Sequence, residues 1–188
     1  RYWMNLTPSD IMWNTSDAAW VKAAIGSGFG PWFQGTCAFT HAMPQFDPRA
    51  ILNTFCKYPV TALCSAPTAW WYSMTSPGTV TSDHATYAFK TLKHCLTKGE
   101  PLNPEAMVQW KSQTGLTAYE GYGQTEIGMI CANMKRMKIK PGSLGKAAPP
   151  CDVQIIDENG SVLSPGKEGD IAIKMDVKWP FTFLTRYL

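Results

Sequence analysis

Residues 120–126 carry the side chains in this chain that are best suited to chemistry: Glu120-Gly121-Tyr122-Gly123-Gln124-Thr125-Glu126. The two glycines let a backbone approach a ligand closely, and the ring of Tyr122 between them offers a flat face for a stacked base. The Thr125 hydroxyl can donate a hydrogen bond to an anionic oxygen, and the Glu126 carboxylate is a hard oxygen ligand that suits Mg²⁺. The grouping predicts a nucleotide-phosphate site. The simpler alternative is that Gly-Tyr-Gly only forms a turn that ends a strand.

Two further groups are weaker candidates. Residues 98–101 read Lys98-Gly99-Glu100-Pro101 and follow a predicted strand, so their simplest interpretation is a strand-to-helix turn. Trp20 follows a polar stretch and leads into an apolar one, which on residue type alone favours a core tryptophan. Residues 26–30 contain three glycines but lack the following Lys-Ser/Thr of a phosphate loop, so we interpret them as backbone packing.

The segment Tyr122-Gly123-Gln124-Thr125-Glu126 resembles a core motif of the adenylate-forming enzymes. Its longer context, residues 119–133 and 138–174, resembles the medium-chain acyl-coenzyme A synthetases, and the resemblance extends from Tyr2-Trp3 to about Lys174. It implies an ATP-dependent, AMP-forming ligase that joins a medium-chain fatty acid, or a related carboxylic acid, to coenzyme A. In the family, the carboxylate attacks the α-phosphate of ATP to give an acyl-adenylate and pyrophosphate, and the thiol then displaces AMP. The resemblance also implies an intracellular, mitochondrial location.

The resemblance assigns roles residue by residue. The positions expected around the nucleotide are Gly99, Glu100, Pro101, Glu120, Gly121, Tyr122, Gly123, Gln124 and Thr125. Glu120 is expected to be structural rather than catalytic, whereas Thr125 contacts the α-phosphate and the acyl carboxylate. Glu126 holds Mg²⁺, so Thr125 and Glu126 are the expected catalytic residues. Trp20 falls on the acyl-binding tunnel, and Lys98 replaces the small or apolar residue that is usual before the glycine.

Helix and strand signals alternate from Asp47 onward and predict an α/β fold, a parallel sheet flanked by helices. The predicted strands are 60–64, 92–97 and 116–119, and proline-led helices are predicted to begin near 48, 67 and 104. We expect Met107 and Val108 to point inward in the last of these helices. Ligands of such sheets bind beyond the carboxyl ends of the strands. Residues 99–101 and 120–126 are therefore expected to converge.

Near Pro141 the pattern of residues changes from alternating helix and strand signals to strand signals alone. Alternating residues predict strands at 152–156 and 169–173, with a hairpin turn at 157–160 and a return strand at 161–163. This pattern predicts a small antiparallel module that matches the β-barrel subdomain of the resembled family. We therefore divide the chain into residues 1–140, the α/β part of a large adenylation domain, and residues 141–188, the start of the β-barrel subdomain.

The composition excludes several classes of protein. With 188 residues, 45% hydrophobic and 16% charged, the chain is globular rather than disordered. The net charge of +3, with one basic run at 135–140, argues against a nucleic-acid partner. Six cysteines without a Cys-x-x-Cys pair argue against a zinc knuckle and favour a reduced setting. No apolar run reaches membrane-spanning length, and His41, His84 and His94 have no acidic partner at a suggestive spacing.

The family's phosphate loop, ribose-binding segment and mobile C-terminal domain do not occur within residues 1–188. We therefore expect this chain to be part of a longer synthetase and to be inactive alone. One alternative is a catalytically dead synthetase-like protein that retains nucleotide or acyl binding. Another is a chain whose apolar surface pairs with a second protein. The presence of Thr125 and Glu126 favours the first two hypotheses over the third.

Overall fold

Seven strands form the sheet that carries the site residues. The structure is a computed structural model that describes residues 2–43, 45–70, 89–175 and 183. The strands are β1 (Ile11–Asn14), β2 (Cys37–Phe39), β3 (Ala62–Ser65), β4 (His94–Lys98), β5 (Ala118–Gln124), β6 (Gly128–Ala132) and β7 (Lys146–Ala147). Their order is β2-β1-β3-β4-β5-β6-β7, in which β1 to β5 run parallel and β6 and β7 are antiparallel to their neighbours. The predicted α/β class is therefore confirmed, with a mixed sheet.

Four α-helices have bounds in the described part of the chain. They are α1 (Val21–Ala23), α2 (Gly30–Trp32), α3 (Pro48–Lys57) and α4 (Pro104–Thr114), and a π-helix, Ala24–Phe29, joins α1 to α2. The side chains of Asp47 and Asn103 accept backbone N–H bonds at the starts of α3 and α4, as helix N-caps do. Gly115 ends α4 in the left-handed conformation, with φ of 72°. The predicted starts of these two helices are confirmed.

The sheet is packed on both faces. One cluster lies under α3 and α4 and contains three tryptophans, Trp13, Trp70 and Trp110. The other cluster lies on the opposite face and includes Trp3, with Met129 packed against it. Because β3 and β4 have both faces covered, their residues are almost continuously buried, as is usual for central parallel strands.

Several local predictions were wrong in detail. Strand β5 does not end before the Gly-Tyr-Gly segment but runs through it to Gln124, because those residues pair with β6. Val108 is 57% exposed rather than buried, since α4 turns Met107 and Trp110 to the sheet instead. Strands β1 and β2 and the π-helix were not predicted. The return strand expected at 161–163 is reduced to one bridge, between Ile156 and Val162.

The C-terminal described residues form a separate two-stranded sheet. Its strands, β8 (Val153–Ile156) and β9 (Asp170–Ile173), pair antiparallel, which confirms the predicted small antiparallel element. The Asp157 carboxylate accepts N–H bonds from Asn159 and Ser161 and stabilises the predicted turn. Strand β7 still pairs with the main sheet, and the division at residue 140 stays a prediction.

Large apolar side chains are exposed along the helical segment at 20–33. They are Trp20, Val21, Ile25, Phe29, Trp32 and Phe33. Within the described ranges, no helix is both long and apolar enough to cross a membrane. The hypothesis of a protein partner on an apolar surface stays a prediction.

Candidate functional site

The carboxyl ends of β4 and β5 lie side by side. Lys98, the last residue of β4, is in register with Gly121, and Thr97 is in register with Glu120. The loop at 99–102 and the end of β5 therefore leave the same edge of the sheet, where ligands of parallel sheets bind. The expected convergence of these two segments is confirmed at the level of the backbone.

The two glycines of β5 allow a tight hairpin to β6. A Cβ atom on Gly123 would lie 1.9 Å from the carbonyl oxygen of Gly128, and one on Gly121 would lie 2.9 Å from both Met129 Sδ and the Trp3 ring. The strand register also shifts between Tyr122 and Gly123. Glycine is therefore needed at both positions so that backbone and side chains can approach closely within the sheet. The interpretation of the segment as a turn did not include this reason.

Glu120 is an internal anchor. Its side chain is 2% exposed, and its Oε1 accepts a hydrogen bond from the backbone N–H of Leu102 at 2.8 Å. Burial raises the pKa of this carboxyl, and the bond from Leu102 opposes that rise. Glu120 therefore ties β5 to the loop after β4, in agreement with its expected structural role.

The loop residues 99–101 are exposed. Gly99 has a φ of 112°, a conformation that favours glycine. The Glu100 carboxylate accepts a hydrogen bond from the backbone N–H of Thr68 at 3.0 Å. This contact ties the loop to the start of the helical turn at 67–70, beyond the carboxyl end of β3.

A cavity of about 420 Å³ opens beside the end of β5. Its lining includes Lys22, Cys64, Lys98, Gln124, Thr125, Gly128 and Met129, with Tyr2, Trp3, Met4, Val21, Ile25, Gly26, Ala148 and Pro149. Of the residues expected at the nucleotide, Gln124 and Thr125 line this cavity, and the others expected there do not. Glu126 is half-buried in the turn that follows.

Trp20 lies outside this cavity. Its side chain is 57% exposed, so the interpretation of Trp20 as a core residue was wrong. The Lys22 ammonium lies 5.5 Å from the centroid of the Trp20 ring, within the range of a cation–π contact. Trp20 therefore borders the helical segment that forms one wall of the cavity, and its place on an acyl tunnel stays a prediction.

Sequence reasoning missed Lys22. This side chain is 6% exposed, and its Nζ donates a hydrogen bond to the carbonyl oxygen of Lys98 at 2.9 Å. Burial lowers the pKa of Lys22, as does the nearby charge of Lys98, and burial lowers the pKa of Lys98 as well. A lysine between Val21 and Ala23, in an otherwise apolar run, was the available signal.

A second cavity, of about 710 Å³, lies beyond the ends of β1 and β2. It is lined by Asn14, Ser27 and His41, among others, and Asn14 Nδ2 donates to Ser27 Oγ at 3.1 Å. His41 Nδ1 is 3.1 Å from the Thr54 hydroxyl, and the buried His94 contacts the Trp3 carbonyl at 3.3 Å. His84 lies outside the described residues. Neither of the other histidines has a carboxylate within salt-bridge distance among those residues.

Three comparisons with known proteins agree with this geometry. A family model described as AMP-binding enzyme matches residues 1–177. All 188 residues align with acyl-coenzyme A synthetase ACSM4, mitochondrial, of Mus musculus at 58% identity. They also align with acyl-coenzyme A synthetase ACSM3, mitochondrial, of Homo sapiens at 54% identity. The chain spans 31% of the length of each of these relatives.

The fold matches solved structures of the same kind. The crystal structure of Brucella canis acyl-CoA synthetase aligns with a TM-score of 0.84 and 28% identity, over 94% of this chain and 32% of that one. The predicted resemblance to acyl-coenzyme A synthetases is confirmed by these similarities.

Proposed function

The chain belongs to the family of AMP-binding enzymes, and from this premise we propose that the complete protein containing it is an acyl-coenzyme A synthetase. It activates a medium-chain fatty acid, or a related carboxylic acid, with ATP to form an acyl-adenylate and pyrophosphate. The thiol of coenzyme A then displaces AMP to give the acyl-coenzyme A. The observation that carries this proposal is identity of 58% and 54% to two such synthetases over the whole chain.

The geometry at the end of β5 supports specific roles. Thr125 lines the cavity of about 420 Å³, where its hydroxyl would contact the α-phosphate and the acyl carboxylate. Tyr122 would stack on adenine, bordered by the exposed loop at 99–101. Negative charge accumulates on the phosphoryl oxygens during such a transfer, so these residues act by positioning and electrostatic stabilisation.

Mg²⁺ fits this site as a partner of the nucleotide. In the described ranges, no group of three or more His, Cys, Asp or Glu side chains could hold a metal by itself. Mg²⁺ is commonly bound by one or two carboxylates together with substrate phosphates, so Glu126 would suffice as the protein ligand. The ion would neutralise phosphate charge when bound.

The remaining features of the proposal come from the relatives. They are named mitochondrial, and we place the complete protein in that compartment. Residues 1–140 would belong to its large adenylation domain, and residues 141–188 would begin its β-barrel subdomain. We expect the 188-residue chain alone to form no acyl-coenzyme A, because the family's phosphate loop and mobile lysine-bearing domain are not within it.

The test is turnover by the complete protein with and without the Thr125 hydroxyl. We would measure octanoate-dependent exchange of pyrophosphate into ATP, and octanoyl-coenzyme A formation, for the wild type, Thr125→Ala and Thr117→Ala. Loss of a donor to a transition-state oxyanion typically lowers kcat about 10²–10³-fold, which is the loss expected for Thr125→Ala. Thr117 precedes β5 and lies outside the cavity lining, so its substitution should leave the rate unchanged.

Two results would contradict the proposal. Equal rates for Thr125→Ala and the wild type would remove the assigned role of Thr125. A folded wild type that binds a stable acyl-adenylate analogue but exchanges no pyrophosphate would support the catalytically dead alternative instead.

A further inference from the structure

Two lysines share one largely apolar cavity. Lys22 and Lys98 both line the space of about 420 Å³ beside β5, and most of its other walls are apolar, including Trp3, Ile25 and Met129. Among the residues that the structure describes, no acidic side chain lines that space. Its volume lies within the usual range for small-ligand sites, about 300–1,000 Å³.

The charge of these lysines is only partly compensated within the described residues, because the Glu100 carboxylate favours the charged form of Lys22 but forms no ion pair with it. Lys22 is 6% exposed, and an ammonium has three N–H donors, of which one bond, to the Lys98 carbonyl, is identified. Neither lysine has a carboxylate within 4.0 Å among the described residues, and the ion pair of Lys93 with Asp10 lies at the opposite end of the sheet. A buried charge without an ionic partner is costly, so an anion that enters the cavity gains from this arrangement.

The Lys22 ammonium is held in place. Asn14 Nδ2 donates to the backbone carbonyl of Lys22 at 3.1 Å, and the ring of Trp20 flanks the Nζ. A Cβ atom on Gly99 would lie 3.6 Å from the same Nζ. The ammonium therefore lies where the cavity meets the loop that is predicted to border adenine.

From these contacts we infer that Lys22 and Lys98 form an anion site in this cavity, which takes the carboxylate of an acid whose apolar body lies against Ile25 and Met129. The inference rests on the proposed function and deepens it, because it names the groups that position the acid before ATP reacts. Charge-assisted hydrogen bonds are about twice as strong as neutral ones. Lys22 would be the main positioning residue, since it is 6% exposed whereas Lys98 is half-buried.

The test is acid binding measured by calorimetry in the absence of ATP. The complete protein would be titrated with octanoate as the wild type, Lys22→Met, Lys98→Met and the control Lys167→Met, whose lysine is exposed on the loop before β9. Because a hydrogen bond to a charged group contributes about 1.5–3 kcal/mol, we expect Lys22→Met to raise the octanoate Kd about tenfold to hundredfold. Lys98→Met should raise it less, and Lys167→Met should leave it unchanged.

Binding of a neutral ligand distinguishes an effect of the lysine charge from an effect of the substitutions on folding. Octanamide has the same apolar body without the negative charge, so its Kd should be equal for the wild type and both cavity variants. Lys22→Arg, which keeps the charge, should recover most of the octanoate affinity. Parallel losses for octanoate and octanamide would overturn the inference, because they would mean that the substitutions damage the cavity itself.

Titration with AMP tests whether the two lysines bind the carboxylate of the acid or the phosphate of the nucleotide. We expect the Kd of AMP to be unchanged in Lys22→Met and Lys98→Met. Weaker AMP binding with unchanged octanoate binding would overturn the inference and assign the lysines to the phosphate. Absence of saturable octanoate binding by a folded wild type, judged by circular dichroism, would overturn it too.

These outcomes are distinct from failure of the proposed function. Unchanged octanoate affinity in both lysine variants would refute the anion site while pyrophosphate exchange continued in the wild type. If octanoate binding depended on the lysines but the protein exchanged no pyrophosphate, the result would support the anion site and refute the proposed activity.

Discussion

The two ends of the central parallel strands differ in how their charges are satisfied. At the amino ends, the Asp10 carboxylate is 4% exposed and accepts hydrogen bonds from Thr7, Thr61 and Lys93 at 2.7–2.9 Å. At the carboxyl ends, Lys22 and Lys98 share a cavity whose described lining contains no acidic side chain. Both regions bury charge in the same sheet, but only the first pairs it fully.

This difference indicates that the amino ends of the strands stabilise the fold and that the carboxyl ends are available to a ligand. Burial by itself raises the pKa of Asp10, but the bonds from Lys93, Thr7 and Thr61 outweigh that effect and hold it well below its usual range. Burial instead lowers the pKa of Lys22 and Lys98, and the nearby Cys64, together with Glu100 in the case of Lys22, only partly opposes the shift. Groups with perturbed pKa values beside a cavity are candidates for function, whereas the satisfied network at Asp10 is structural.

The largest expected effect is loss of stability on Asp10→Ala. This substitution leaves the Thr7 and Thr61 donors and the Lys93 ammonium without their acceptor, and we expect the free energy of unfolding to fall by about 2–4 kcal/mol. Urea unfolding at pH 7 measures the change, and Asp152→Ala, at an exposed position, is the control. A loss below 1 kcal/mol would mean that this end is no better stabilised than the other.

The same carboxylate sets a pH dependence with a definite sign. The folded pKa of Asp10 lies below the ordinary value of 3.8 that applies to the unfolded chain, so its contribution to stability is fully present above about pH 4. It is lost as the pH falls through the folded pKa. The difference in stability between the wild type and Asp10→Ala should therefore shrink on acidification below pH 4.

A smaller effect is expected from Gly123→Ala, at the carboxyl end. The added Cβ would meet the Gly128 carbonyl at 1.9 Å, so the hairpin of β5 and β6 must open. Overpacking of this kind typically costs about 1–3 kcal/mol, and we also expect weaker octanoate binding because Gly128 lines the cavity. Gly28→Ala, where the nearest atoms are at 3.6 Å, is the matched control. Unchanged stability and binding in Gly123→Ala would contradict the close approach.

The smallest expected effect is a change in pH dependence on Glu120→Gln. Burial raises the folded pKa of Glu120 above its ordinary value of 4.5, so its contribution to stability falls as the pH rises from about 4.5 through the folded value. In the variant this pH-dependent fall in stability should be absent. The net change in the free energy of unfolding should be about 1 kcal/mol at most. Thermal unfolding between pH 4 and 8, beside Glu158→Gln at an exposed turn, measures the slope. A slope identical to that of the wild type would show that Glu120 ionises as freely as a surface carboxyl.

Short-range signals predicted the parts of the fold that depend on neighbouring residues. The caps Asp47 and Asn103 start their helices and Gly115 ends one, because each acts on backbone groups within a few residues. Short-range patterns failed where distant residues decided the outcome. The Gly-Tyr-Gly segment looks like a turn on its own, but it becomes strand because β6 supplies the partner.

The sequence by itself determined the family and the α/β class, because residue types and their order carry those signals locally, and the nucleotide site at residues 120–126 stays a prediction. It also indicated that Glu120 is structural, which its bond to Leu102 explains. Only the tertiary structure decided that Lys22, which lies 76 residues from Lys98, enters the same cavity. That meeting depends on the parallel order of the strands and on packing of the helical segment at 21–29 against β1, which no local pattern encodes.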